Sequence, residues 1–175
     1  MRSETIAIHC GFTCDPATRA VATPIYQNVA YEFESAEEAA AMFYLKTPGY
    51  RHSRISNPTT DILEKRLAQL KGGVTALAVN SGQAALNYTF LALADRGESI
   101  VGPTQLYGTT QRLLTHTLRH NGVEARLAKR DRIQDVAALI DEPARAMFCE
   151  CVGNPRAIFA TSKPSRTWPT RQALR

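Results

Sequence analysis

Apolar positions change their spacing along the chain, and the changes divide it. Residues 1–50 keep no sustained period: Pro16, Pro24 and Pro48 interrupt them, and PIYQNVAYEF mixes aromatic with polar side chains, the pattern of an arm rather than a core element. Within that arm Ser35 stands three residues before Glu38, the spacing of a capping box, and predicts a helix over 36–44. The loop 48–57 ends on Asn57 followed by Pro58, an N-cap with proline at the first helical position. Ile62, Leu63, Leu67 and Leu70 then share one helical face, and Gly72-Gly73 stops the helix.

From Val74 onward short apolar runs alternate with helical periods. Val74–Val79 reads as a buried strand, Asn80-Ser81-Gly82 as a tight turn, and Ala84, Ala85, Tyr88, Leu91 and Ala92 as the apolar face of a helix beginning at Gln83. Strands over 99–102, 123–128 and 145–151 and helices over 109–120 and 133–140 follow, with Asn121-Gly122 as a stop. Such alternation defines an α/β protein with a mainly parallel sheet and helices on its faces, in which ligands gather at the carboxyl ends of strands. The three strand exits are 80–82, 103–108 and 150–155, and they make one site if they converge. A helix opening straight off a strand offers unpaired N–H groups and the positive end of its dipole to an anion, phosphate above all. Ser81 and Gly82 suit that task, and they equally suit an ordinary N-cap and turn.

Composition adds bounds. The 175 residues are 44% hydrophobic and 21% charged, ordinary for a globular protein of one core. No run of about 18 apolar residues is present for a membrane span, and the start MRSETIAIHC has no apolar signal core, so the reading is a cytoplasmic protein with no membrane partner. Cys10, Cys14, Cys149 and Cys151 are read as reduced thiols, and neither pair has the setting of a structural zinc site, so no metal is assigned. Five of the 21 basic residues and none of the 16 acidic ones lie in 156–175, which leaves residues 1–155 neutral with sixteen of each. The basic pI therefore reflects the tail, and no nucleic-acid partner is read from it. After Pro155 the alternation stops, and RAIFATSKPSRTWPTRQALR has two prolines and no period.

Five stretches in order, ETIAIHCGFTCDPATRAVATPIYQ, YRHSRISNPTTDILEKRLAQLKGG, NSGQAALNY, QLYGTT and FCECVGNP, resemble the Cys/Met-metabolism family of pyridoxal-phosphate (PLP) enzymes, most closely the O-acetylhomoserine sulfhydrylases. The resemblance runs from Glu4 to Pro155. It implies the large domain of the aspartate aminotransferase-like, fold type I PLP-dependent transferases, truncated here. The division is 1–58 as N-terminal arm and inter-subunit loop, 59–155 as the first part of the PLP-binding domain, and 156–175 as an unmatched basic tail. Methionine gamma-lyase, cystathionine gamma-synthase and cystathionine lyases share these motifs and are the alternative within the family. A non-catalytic remnant binding a full-length paralogue is the alternative outside it.

The resemblance also implies roles. The turn Ser81-Gly82-Gln83 matches the phosphate cup, with the N–H groups of Gly82 and Gln83 on the PLP phosphate. Tyr107 matches the tyrosine that stacks on the pyridine ring and serves proton transfer, a flat aromatic face on a flat ligand. Asn154 matches the asparagine that bonds the cofactor's 3-oxygen. Arg54 matches the arginine that reaches a neighbouring subunit's phosphate, where a guanidinium makes a charge-assisted contact, so a complete site implies a homo-oligomer. His52 stands where the family has tyrosine, and a weakened, pH-dependent clamp is expected there. The Schiff-base lysine and the carboxylate for the pyridine nitrogen come after the GNP motif in the family. Neither is matched in this chain, and Ser162-Lys163-Pro164 does not replace them. The loss of resemblance at Arg156 is expected to reflect a frameshift, a truncated gene or a mispredicted end, and the chain as written is expected to be inactive, with PLP binding impaired or lost. The complete relative would replace the acetate of the amino-acid substrate O-acetylhomoserine with sulfide or a thiol, giving homocysteine or methionine.

Overall fold

A computed structural model describes residues 2–129 and 132–153. The chain forms two compact units, 1–78 and 79–175.

The first unit holds three helices, α1 (Ser3–His9), α2 (Ala36–Phe43) and α3 (Pro58–Lys71). The last two begin and end where their capping residues place them. The Ser35 hydroxyl accepts the Glu38 N–H at 3.1 Å, and Glu38 reaches back to the N–H of Glu34, one residue before the usual capping-box partner. Asn57 is buried, at 8% exposure, and its Oδ1 accepts the Thr59 N–H at 2.9 Å. Its Nδ2 donates to the Tyr26 carbonyl and to the hydroxyls of Ser53 and Tyr31, which ties the arm and the loop to the start of α3. At the other end Gly72 closes α3 in the left-handed region, φ 66°.

Three expectations for this unit are corrected. The arm contains a helix, α1, packed on α3 and held by the Arg66 guanidinium donating to the Cys10 carbonyl at 2.9 Å. That helix has no side-chain cap and no buried residue, so no local signal marks it. On α3 the buried position is Ala68, while Leu63 and Leu67 remain 48% and 43% exposed. Finally, Val74–Val79 is no strand. Val74 is fully exposed and Leu77 is 78% exposed, and the one hydrogen bond along the run is Ala78 N–H to the Glu64 carboxylate at 2.7 Å. An apolar run becomes a strand only where a neighbouring strand receives its N–H and C=O groups, and none of the described residues does so.

The second unit is built on a parallel three-stranded sheet of order β2-β1-β3, with β1 Ser99–Pro103, β2 Glu124–Ala128 and β3 Ala144–Met147. β1 runs through the centre, Ile100 opposite Ala125 on one side and Ala146 on the other. The crossover from β1 to β2 is helical over 108–120: α5 (Gly108–Arg112), a π turn (Leu113–Thr117) and α6 (Leu118–His120). The π turn interrupts the single helix expected there. It keeps Leu113, Leu114 and Leu118 buried against the sheet. Helix α7 (Ile133–Ala137) and strand β3 are shorter than their sequence patterns.

Helix α4 (Gly82–Leu93) precedes β1 and packs Phe90 and Leu86 into the core with Ile100, Leu106, Leu114, Leu118 and Val123. This face differs from the expected one, since Tyr88 and Leu91 are 56% and 41% exposed. The helix is apolar on nearly every side, so its period alone does not select the buried face. Each of the large core side chains contributes about 1.5–3 kcal/mol on burial.

Candidate functional site

In the second unit the start of α4 has the form expected of an anion site. Ser81 is extended, φ −163° and ψ 159°, and its hydroxyl accepts the Ala84 N–H at 3.1 Å while its carbonyl accepts that of Ala85. The N–H groups of Gly82 and Gln83 make no hydrogen bond among the described residues. They are two of the orphan donors every helix start carries, at the positive end of a three-turn dipole. Gly82 is exposed and Gln83 partly buried, and a Cβ built on Gly82 meets no described atom within 4 Å. A phosphate fits this donor set.

Two side-chain bonds bring the other strand exits to α4. Gln83 Nε2 donates to Thr110 Oγ1 of α5 at 2.9 Å. The Tyr107 N–H, just before α5, donates to both carboxylate oxygens of Glu150 at 3.0 Å, and Glu150 lies three residues beyond β3. The start of α4 and the exits of β1 and β3 are thus linked, the two exits being the carboxyl ends of neighbouring parallel strands. Tyr107 itself is half exposed, with its backbone held and its ring toward solvent. Thr110 and Glu150 have no motif that marks them in sequence; they are partners defined by the fold. Two acceptors on α4, Gln83 Oε1 and Asn87 Oδ1, are buried with no partner among the described residues. They cannot bond a phosphate oxygen and do not belong to the anion cradle. Asn154 lies outside the described residues.

His52 and Arg54 belong to the first unit. His52 is bridged to Ala30, and its Nδ1 accepts the Arg54 N–H at 3.1 Å, which places the neutral ring's proton on Nε2. Arg51 is committed locally, donating to the Met42 carbonyl with its guanidinium 5.7 Å from the Phe43 ring. The exposed Arg54 side chain makes no bond among the described residues and lines a cavity of about 660 Å³ with Tyr50, Asn57, Asp61 and Lys65. The Tyr50 hydroxyl donates to Asp61 at 3.0 Å, and burial followed by that carboxylate pushes its pKa up to about 12. No group of three or more His, Cys, Asp or Glu side chains that could hold a metal occurs among the described residues. No described helix is long and apolar enough to cross a membrane.

The parallel sheet and its flanking helices are shared with solved fold type I PLP-dependent enzymes, and that is the class of this fold. A crystal structure of an O-acetylhomoserine (thiol)-lyase from Campylobacter jejuni, containing a pyridoxyl-lysine phosphate, superposes with a TM-score of 0.84 at 40% identity, covering 92% of this chain and 39% of that one. The family of Cys/Met metabolism PLP-dependent enzymes matches residues 4–160, and the chain belongs to it. It is 45% identical over 156 residues to O-acetyl-L-homoserine sulfhydrylase 1 of Thermus thermophilus, covering 89% of this chain and 37% of the relative. It is 39% identical over 155 residues to the homocysteine/cysteine synthase of Saccharomyces cerevisiae, covering 87% and 35%. The chain therefore spans little more than a third of the length of these relatives.

Proposed function

We propose that this chain carries the phosphate-holding part of a PLP site of the O-acetylhomoserine sulfhydrylase kind. The observation that carries the reading is the pair of N–H groups of Gly82 and Gln83 at the start of α4, unengaged among the described residues. Bound there, the cofactor supplies an electron sink for bond changes in an amino-acid substrate. The chain's own residues bind and orient. Gly82 and Gln83 hold the phosphate, Ser81 keeps the helix start rigid, and Tyr107, fixed through Glu150, offers its ring to the cofactor face. Asn154 bonds the cofactor's 3-oxygen. Arg54, with His52 donating from Nε2, serves a phosphate in a second subunit. Nε2–H is the donor His52 offers, because its Nδ1 accepts the Arg54 N–H.

In the complete enzyme the reaction is O-acetylhomoserine plus sulfide giving homocysteine plus acetate. Release of thiol, ammonia and a keto acid is the alternative within the family. No stretch of the 175 residues matches the family's Schiff-base lysine, so what this chain contributes to the complete site is the phosphate end of the cofactor.

The test removes one donor at a time. Gly82 is the first helical residue and Ser81 before it is extended, so Gly82→Pro is accommodated while it deletes the N–H. Gly82→Ala keeps that N–H. Titration calorimetry should find PLP binding about 10–100-fold weaker in the proline variant, the worth of one bond to a charged group, and unchanged in the alanine variant. Equal affinity for PLP and for pyridoxal, which lacks the phosphate, would sink the reading.

A second reading is favoured by the exposed, unpaired run at Val74–Val79. In it the chain docks on a full-length relative as a non-catalytic partner. Copurification of the two, lost on Val74→Lys with Leu77→Lys, would support it.

A further inference from the structure

The segment after β3 presents a feature that cofactor binding does not use. The Phe148 N–H continues the sheet by donating to the Val101 carbonyl at 2.9 Å, and its ring meets Phe90 of the core edge-on at 5.3 Å. The Glu150 carboxylate is held by the Tyr107 N–H. Residues 148 and 150 are thus both turned toward the body of the unit. Burial alternates along this stretch, Phe148 and Glu150 partly buried and Cys149 and Cys151 exposed, so the two free thiols share the outward face up to the bend at Cys151. Their proximity is felt electrostatically: burial pushes the Cys149 thiol up, and the charge of Cys151 adds to it.

Extended residues two apart have Cα atoms about 6.5–7 Å apart. That is at the outer limit for a direct disulfide, whose Cα separation centres near 5.5–6 Å. A third, larger atom between the sulfurs removes the constraint, and thiolates prefer soft centres. The other pair is less suited. Cys10 is bonded to the Gln69 side chain, and Gly11, at φ 80°, turns the backbone before Cys14.

We propose that Cys149 and Cys151 form a dithiol site for thiophilic trivalent arsenicals. With an organoarsenic oxide R–As=O, two S–H bonds and the As–O bond break and two As–S bonds form. The oxygen leaves with both protons as one water, and no oxidation or reduction occurs. The site is independent of the cofactor reading and stands whether or not PLP binds.

The probe is phenylarsine oxide, added to the full reduced chain after the reductant is removed. Intact-mass spectrometry should find one arsenical per chain with loss of one water. The adduct should map to the tryptic peptide 146–156, which contains no other cysteine. It should survive excess glutathione, a monothiol, and be stripped by 2,3-dimercaptopropanol. Cys149→Ser or Cys151→Ser should weaken binding by about 100-fold or more, since the second bond of a chelate forms at high effective concentration. Undiminished binding in either variant, an adduct confined to Cys10 and Cys14, or adducts that glutathione removes would each overturn the proposal. Peptide mapping uses the unsubstituted chain, so a variant that fails to fold leaves the answer intact.

Discussion

Gly102 sets how closely β1 and the chain after β3 approach. It pairs with Leu127 in β2, and a Cβ built on it falls 2.6 Å from the Phe148 carbonyl oxygen, inside any normal carbon–oxygen contact. Gly102→Ala therefore forces the Phe148 backbone outward by roughly 1 Å to restore an ordinary contact of about 3.5 Å. Two bonds depend on that backbone: the Phe148 N–H to the Val101 carbonyl, and the edge-on seat of the Phe148 ring on Phe90. Overpacking costs about 1–3 kcal/mol, and a weakened hydrogen bond and ring pair each contribute up to about 1 kcal/mol more. The expected loss is about 2–4 kcal/mol, a large share of a domain's total of about 5–15 kcal/mol. With a urea slope near 2 kcal/mol per molar, the unfolding midpoint by far-UV circular dichroism should drop by about 1–2 M. Gly108→Ala is the control, because a Cβ there meets nothing within 4 Å and the residue begins α5. It should leave the midpoint unchanged or slightly raised. Equal midpoints for Gly102→Ala and the parent chain would refute the close approach and the register argument built on it.

Asn57→Ala removes the α3 cap together with three donor contacts from a buried amide, and should cost about 2–3 kcal/mol in the same denaturation assay. The Tyr50 phenol holds its proton to about pH 12 in the folded chain and to about pH 10 when unfolded, so its contribution is full below pH 10 and is lost as pH rises toward 12. Ultraviolet titration at the phenolate band should find one late-titrating tyrosine that disappears in Tyr50→Phe. Val74→Lys with Leu77→Lys adds charge to residues already in solvent, so the unfolding midpoint should stay put while light scattering at high protein concentration falls.

What the sequence reveals is mostly what neighbouring residues decide among themselves. Ser35, Asn57, Ser81 and Gly72 sit at the helix ends their chemistry predicts, because a cap is settled within four residues. The parallel order around β1 follows from alternation of strand and helix. Features that depend on distant partners do not show. The α4 face is chosen by the sheet it meets, not by its own nearly uniform apolar surface. Val74–Val79 has the composition of a strand and lacks a neighbour. The bonds that gather the site join Gln83 to Thr110 and Tyr107 to Glu150, 27 and 43 residues apart, and only chain closure reveals them. The Ser81 turn is legible as a helix start, whereas the lack of an acceptor for the Gly82 and Gln83 N–H groups among the described residues is a property of the folded chain.

The run between α3 and α4 carries one further consequence, for how such a chain could be rearranged. The division falls between Ala78 and Val79, within a run whose backbone joins no ladder among the described residues. Tolerance to interruption follows from burial and hydrogen bonding at the break. A peptide inserted at Val79, or a gene split there into two open reading frames, would interrupt no described hydrogen bond, leaving the helix cap at Asn57 and the strand register around β1 encoded in separate, transferable pieces.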